Sequence, residues 1–180
     1  PPSHEGYRYS MNVKCVKAGW SFIGFLKTRD DACLVLKEVL YEIKHTHKRI
    51  PTRMFLKSDN AKEFMYGAVK SVCKEHGIRQ EFSSPYMHEN NADSEIVWRD
   101  IPNMARALLL VSGLSHEHWP AAYRHANWLK NRMPNRNMDW KIPYTVLYNV
   151  APDMSSVRVF GSAAYGYVDT KQHIQKHPKP

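Results

Sequence analysis

The chain has 180 residues, of which 43% are hydrophobic and 24% charged, and its formal net charge is +9 at pH 7. This size predicts one domain with a sizeable core, and the sequence contains neither an apolar run approaching the roughly 20 residues of a membrane span nor a secretory signal. The positive charge fits a polyanionic partner such as nucleic acid, although a solvated basic surface explains it equally well.

The first two apolar stretches predict a β-hairpin. Aromatic and β-branched residues fill YRYSMNVKCV and WSFIGFLK, and the intervening KAG contains a turn-forming Gly. The next stretch, TRDDACLVLKEVLYEIKH, predicts an amphipathic helix that Thr28 or Asp30 caps. Its apolar positions recur at intervals of three and four residues: Cys33, Leu36, Leu40 and Ile43.

A short strand and a helix follow. Met54–Leu56 is a brief apolar run that predicts a buried strand delivering Asp59 at its carboxyl end, and ligands collect at strand ends in open sheets. The run KEFMYGAVKSVCKEHG predicts one amphipathic helix closed by Gly77. IRQEF predicts a further short strand, and the alternation of strands and helices indicates an α/β layered domain.

The second half is predominantly helical by pattern. Glu95 begins a long helix, so its carboxylate is expected near a positive helix end, and Pro102 predicts a kink or a delayed helix start. SHEHWPAAYRHANWLKNRMP predicts a second long helix with Ser115 as its N-cap. From Trp140 onward we expect extended and turn structure around the core, ending in a disordered basic tail, HIQKHPKP.

An aromatic stripe on the second long helix has two interpretations. Trp119, Tyr123 and Trp128 could form a base-stacking platform, but core packing is the preferred interpretation. The three cysteines, Cys15, Cys33 and Cys73, have no C-x-x-C pattern. We expect them to be buried, reduced thiols rather than zinc ligands or a disulfide framework.

The acids Asp59 and Glu95 form a candidate site for a hard cation. Residues 60 to 94 separate them, and these 35 residues match the spacing of the last two acids in a D,D-35-E polynucleotidyl transferase. Spacing alone is weak evidence, because a chain with 17 acidic residues contains many such pairs.

Longer motifs carry a resemblance to a known family. SDNAKEF resembles the SDNGxEF around the second catalytic Asp of retroviral-type integrases, and HENNADSE resembles the loop before their catalytic Glu. HWPAAYRHANWLKNRMP and IPYTVLYNVAPDMSSVRVFGSAAYGYV resemble the W-x-x-A-x-x-x-A-x-x-L-x-N-R-x-P and P-Y…P-D…R-V-F-G run of copia-type retrotransposon integrases. The chain is therefore similar to the catalytic core of these integrases over nearly its whole length.

The resemblance implies a fold, a site and a reaction. The fold is ribonuclease-H-like, with a central mixed sheet flanked by helices, a core domain over 1–135 and an extension over 136–180. Asp59 and Glu95 are the implied catalytic residues and ligands of Mg²⁺ or Mn²⁺, with two ions in a complete site. The implied reaction is phosphoryl transfer during DNA integration. The residues expected to contact DNA are Asn60, Lys62, His88, Asn91 and Arg99.

The resemblance also implies partners and a location. DNA, as element ends and target, is the expected ligand, and a homo-oligomer without membrane attachment is the expected assembly. The expected location is intracellular, in the nucleus or in cytoplasmic virus-like particles.

Departures from the family pattern leave two hypotheses open. No acid stands where the family has its first catalytic Asp, which is expected upstream of Pro1, and Ala61 and Asn91-Ala92 replace Gly-containing motifs. Ile96 likewise replaces an Arg. The chain is either an integrase core truncated at its amino end or a non-catalytic relic that keeps the fold and some DNA affinity. A ribonuclease H is a weaker third interpretation, because it would need four carboxylates and has no place for the carboxyl-terminal motifs.

Overall fold

The computed structural model describes residues 1–45, 53–82 and 92–166, except the side chains of residues 92–98. These ranges contain four strands and six α-helices. The strands are β1 (Tyr9–Lys14), β2 (Ser21–Leu26), β3 (Met54–Ser58) and β4 (Ile78–Phe82). The helices are α1 (Ala32–His45), α2 (Lys62–Met65), α3 (Ala68–Glu75), α4 (Ala92–Ser112), α5 (Trp119–Lys130) and α6 (Pro143–Tyr148).

The described strands form two two-stranded sheets rather than one continuous sheet. β1 and β2 form the predicted antiparallel hairpin, in which Tyr9 lies opposite Leu26. β3 and β4 are parallel, with Met54 opposite Ile78, and α2 and α3 form the connection between them. Strand and helix alternation along the chain thus produces the predicted α/β class, with both strand orientations present.

Strand β2 lies at the centre of the fold because it packs on both faces. Phe22 and Leu26 belong to a core cluster with α1 and α3, whereas Ile23 and Phe25 pack against a second cluster formed by α4 and α5. The two-residue period of a strand explains this division. The hairpin is therefore a middle layer between α1 on one side and α5 on the other.

Gly24 sets how closely α1 approaches the hairpin. It is buried, and a Cβ at this position would overlap both γ-methyl groups of Val35 on α1. We expect Gly24→Ala to destabilise the fold by about 2 kcal/mol through overpacking. In a Val35→Ala background the same change should have little effect, because the methyl groups are gone. Urea unfolding of the four proteins checks this, and additive losses would contradict the proposed contact.

Three of the observed elements depart from the predicted ones. The single helix predicted after Asp59 is two helices, because Gly67 takes φ 70° and ψ −138° between α2 and α3. β3 is not a buried strand, since alternate residues face solvent and Phe55 is 56% exposed. A delayed helix start at Pro102 is excluded, because α4 begins at Ala92 and includes the proline, and the alternative of a kink there stays a prediction.

The carboxyl-terminal part and the cysteines also differ from expectation. A helix, α6, lies where only extended and turn structure was expected, and Pro143 occupies its first turn, where a missing N–H is tolerated. Cys73 is buried, and this burial raises the pKa of its thiol. Cys15 is exposed, so its predicted burial is wrong. The predicted tail HIQKHPKP lies outside the described residues. Within the described residues, no helix is both long and apolar enough to span a membrane.

Candidate metal and nucleic-acid site

Asp59 directly follows β3, at the edge where β4 also ends. Ser58 is the last residue of β3, and its partner across the ladder is Phe82, the last residue of β4. Asp59 is exposed, and its Oδ1 accepts a hydrogen bond of 3.3 Å from the backbone N–H of Ala61. A carboxylate is thus presented to solvent at a strand end, as the sequence predicted.

Ala61 fits the turn after Asp59 without strain. Its φ is −64° and its ψ is 139°, a conformation open to any L-residue. The Gly that the family pattern has here is therefore not required by the backbone of this chain. Its replacement by Ala does not distort the turn that carries Asp59.

Glu95 lies in the first turn of α4, which begins at Ala92. The chain leaves β4 at Phe82, beside Ser58, and reappears in the described residues at the start of this helix. The helix N-terminus favours a carboxylate there. The side chain of Glu95 lies outside the described residues, so its separation from the Asp59 carboxylate stays a prediction.

The predicted DNA contacts divide into described and undescribed residues. Asn60 is exposed in the turn after Asp59, and Lys62 is the exposed first residue of α2. Arg99 is exposed on α4, one turn after Glu95. Three polar side chains thus lie on the two segments that carry the candidate carboxylates. His88 and Asn91 lie outside the described residues.

The residues present match the donor chemistry of a hard divalent cation in part. Mg²⁺ and Mn²⁺ prefer carboxylate oxygens, and the exposed Asp59 supplies them. No group of three or more His, Cys, Asp or Glu side chains gathers within the described part of the chain. Glu5, the one acid before Asp30, lies 3.9 Å from Arg124 on α5 instead. The pairing of Asp59 with Glu95 in a metal site stays a prediction.

Helices α4 and α5 pack through residues with almost no exposed surface. Ala105 of α4 and Ala122 and Ala126 of α5 are 0% exposed, which allows the two helices to lie close together. At the end of this contact nearest Glu95, Lys130 Nζ of α5 donates to Asp100 Oδ2 of α4 in an ion pair. Their side chains are only 24% and 32% exposed, so this is a partly buried pair.

Two asparagines hold the start of β2: Asn127 within α5 and Asn131 at the C-cap of α5. Asn131 Oδ1 accepts from Ser21 N at 2.8 Å, and Asn131 Nδ2 donates to Ser21 O at 2.8 Å. Asn127 Nδ2 donates to the same carbonyl at 3.0 Å. Sequence reasoning missed this contact, although Asn131 belongs to the N-R-x-P part of the family motif. The motif position is thus explained by a buried polar bond rather than by catalysis.

The aromatic stripe of α5 is used for packing. Trp119 is 8% exposed and meets Phe25 edge-on, with ring centroids 5.3 Å apart. The guanidinium carbon of Arg132 lies 3.9 Å from the centre of the Trp128 ring, and His125 stacks near the same ring. The core-packing interpretation is therefore correct for Trp119. The ring of Trp128 is instead covered by Arg132, just beyond the end of α5.

The motif P-D…R-V-F-G attaches the carboxyl-terminal segment to α4 and α5. Asp153 Oδ1 accepts from Ser155 N, which lowers the pKa of Asp153, and Arg158 donates to the Ser155 carbonyl. Phe160 packs against the α4–α5 cluster. At Gly161, φ is 83° and a Cβ would come within 2.5 Å of Ser112 Cβ at the end of α4.

We expect Gly161→Ala to loosen this attachment. The substitution combines a strained positive φ with a steric overlap, and should destabilise the segment by about 1–3 kcal/mol. Limited proteolysis should then cleave after residue 150 faster than in the parent chain. Gly166→Ala is the matched control, because no atom of the described residues lies within 4 Å of a Cβ there. Equal cleavage rates for both variants would contradict the expected attachment.

Comparison with known proteins gives the relationship of the chain. No protein-family model matches it. It is 29% identical over 160 residues to the retrovirus-related Pol polyprotein from transposon TNT 1-94 of Nicotiana tabacum, covering 89% of this chain and 12% of that protein. It is 32% identical over 170 residues to the retrovirus-related Pol polyprotein from transposon RE2 of Arabidopsis thaliana, covering 92% of this chain and 11% of that protein. The chain thus spans about a tenth of the length of these relatives.

A solved structure matches the fold. A chain of the simian T-cell lymphotropic virus intasome in complex with PP2A regulatory subunit B56 gamma superposes with a TM-score of 0.63 and 15% identity. The match covers 86% of this chain and 58% of that one. The family resemblance recognised in the sequence is confirmed at this level: the chain is related to one segment of transposon-encoded, retrovirus-related Pol polyproteins, and it has the ribonuclease-H-like fold of a retroviral-like integrase core.

Proposed function

We propose that this chain is the catalytic-core part of a copia-type retrotransposon integrase, which joins DNA ends to target DNA by metal-dependent phosphoryl transfer. Residues 1–135 are the proposed core domain and 136–180 its extension, and DNA and further copies of the chain are its proposed partners. The observation that carries the proposal is the position of Asp59, which is exposed at the end of β3. The neighbouring strand, β4, ends at the same edge, and the chain then continues to α4, the helix that contains Glu95.

The proposed roles follow from charge. Asp59 and Glu95 would hold Mg²⁺ or Mn²⁺, and the bound ions would stabilise negative charge on the attacking and leaving oxygens. Lys62 and Arg99 would neutralise DNA phosphates. Asn60, together with the undescribed His88 and Asn91, would donate hydrogen bonds to the DNA backbone. These contacts orient the DNA so that a phosphate lies between the two carboxylates.

A second candidate function is DNA binding without turnover. The observation that favours it is the Glu5–Arg124 ion pair, because the only acid among residues 1–29 contacts an arginine of α5. A site with two carboxylates should bind a metal ion with lower affinity than a site with all three carboxylates of the triad. Such a chain would keep the affinity for DNA that its charge of +9 supports.

Two experiments test these functions. Anisotropy with labelled duplex DNA should show binding that weakens steeply with salt, and absent binding at low salt would overturn both proposals. Strand-transfer assays in Mn²⁺ separate them. We expect this chain alone not to process DNA ends, because one carboxylate is missing, and Mn²⁺-dependent strand transfer would refute that. Calorimetry with Mg²⁺ or Mn²⁺ on a chain extended upstream of Pro1 tests whether a further Asp completes the site.

A further inference from the structure

A groove of about 540 Å³ lies between helix α5 and residues 156–160 of the carboxyl-terminal segment. Arg124, His125 and Trp128 line it from α5, because spacings of three and four residues place side chains on one face of a helix. All the lining residues belong to α5 or to this segment. The groove therefore shares no residue with the candidate cation site.

The groove is positively charged. Arg124 and Arg158 both line it, and none of the lining residues is acidic. Glu5 approaches Arg124 only to 3.9 Å, and the two side chains are 59% and 52% exposed, so this ion pair contributes little. Arg158 uses only Nη1 to donate to the carbonyls of Ser155 and Val157, and its other N–H groups have no partner among the described residues. Both guanidinium groups can therefore donate hydrogen bonds to an anion.

Aromatic rings also line the groove. The ring centroid of His125 lies 6.3 Å from that of Trp128, at an interplanar angle of 19°, and 5.5 Å from that of Phe160. All three rings are half-buried, so packing holds them in place while part of each ring stays exposed. Because Arg132 already covers the Trp128 ring, His125 is the central ring that is available to a ligand.

The combination of cations and rings indicates a strand of nucleic acid as the ligand. Arginine side chains bind phosphates, and aromatic rings stack on bases. The bases of a duplex are already paired and stacked, so a side-chain ring can reach their faces only in an unpaired strand. An acidic peptide would satisfy the two guanidinium groups but has no bases to stack on the rings. The net charge of +9 adds long-range attraction for a polyanion.

We propose that the groove between α5 and residues 156–160 is a separate nucleic-acid site, which binds an unpaired strand. Phosphates of the strand contact Arg124 and Arg158, and a base stacks on His125. This site goes beyond the proposed function, because neither a cation nor a carboxylate takes part in it. It would hold a strand that has separated from its complement.

Fluorescence anisotropy of the full chain in metal-free buffer tests the proposal, with a labelled oligothymidine of about 12 nucleotides as the probe. Arg124→Gln and His125→Leu should each weaken binding about tenfold, by removing a phosphate contact and a stacking ring respectively. His125→Phe keeps a ring and should keep most of the affinity. Lys37→Gln is the charge-matched control, because Lys37 is exposed on α1, across the hairpin from α5, and its loss should change affinity little.

An abasic oligonucleotide of the same length provides a control that leaves the protein unaltered. It keeps the phosphates and lacks the bases, so it should bind the parent chain about tenfold more weakly than oligothymidine. It should also bind His125→Leu and the parent chain equally well. Equal affinities of the parent chain for the two oligonucleotides would overturn the proposal, whether or not the variants fold. Equal losses in Arg124→Gln and Lys37→Gln would overturn it too.

A labelled peptide of alternating Glu and Leu tests the competing ligand class. If this peptide binds, loses affinity in Arg124→Gln and is not displaced by oligothymidine, the groove is a site for acidic peptides and the proposal is wrong. Calorimetry with Mn²⁺ on Asp59→Asn tests the proposed function separately. Its failure would not affect the groove, because the anisotropy assay contains no metal.

Discussion

Asp59→Asn is expected to weaken Mn²⁺ binding by roughly tenfold or more, because it removes the exposed carboxylate that directly follows β3. Asn keeps the size of the side chain and its ability to accept the Ala61 hydrogen bond. The turn should therefore keep its structure, and urea stability should be nearly unchanged. Isothermal titration with Mn²⁺ measures the loss.

Asp139→Asn is the matched control for this experiment. Asp139 is exposed in the turn after α5 and has φ 51°, a conformation that Asn tolerates well. It therefore removes the same charge without strain and should leave Mn²⁺ affinity unchanged. DNA affinity in metal-free buffer should not fall in Asp59→Asn, since one negative charge is removed. Equal Mn²⁺ affinities for the two variants would exclude Asp59 as a ligand.

Asn131→Ala should produce the largest loss of stability, about 3 kcal/mol, because it deletes two hydrogen bonds and leaves the buried Ser21 N–H without an acceptor. Ser21 and Asn131 are 2% and 3% exposed, so water cannot replace the lost partner easily. Urea unfolding followed by far-UV circular dichroism measures the loss.

Two further Asn→Ala variants make this measurement specific. Asn127→Ala should cost only about 1 kcal/mol, because Ser21 O keeps its bond to Asn131 and the removed Oδ1 is a buried acceptor with no partner among the described residues. Asn103→Ala, exposed on α4, should be neutral or slightly stabilising. A similar loss in Asn131→Ala and Asn127→Ala would argue against the anchoring of Ser21.

Strong periodicity made several elements predictable. The hairpin, α1, β4 and most of α5 were predictable from the spacing of their apolar residues. These residues recur every two positions in a strand and every three or four positions in a helix, because a buried face imposes that spacing. The break between α2 and α3 was not predictable in this way, because Phe64, Val69 and Val72 continue the helical pattern across Gly67. Only the positive φ at Gly67 reveals the break.

The position of Asp59 at the end of a strand was predictable from the sequence. The long-range polar contacts of the neighbouring helices were not. Asp59 follows an apolar run, and this local pattern was enough to place it after β3. The Asp100–Lys130 pair joins residues 30 apart, and Asn131 meets Ser21 across 110 residues. Polar residues on helices are usually exposed, so neither contact leaves a local pattern. The family motif N-R-x-P was the one indication that Asn131 had a fixed role.

The Ser21 anchor also limits how the protein can fold and be shortened. The N–H and C=O of Ser21 obtain their side-chain partners only when the carboxyl end of α5 has docked. Such long-range bonds raise contact order and slow folding. The hairpin and α5 should consequently form in one cooperative step, and any fragment that ends before residue 131 should fail to stabilise the hairpin.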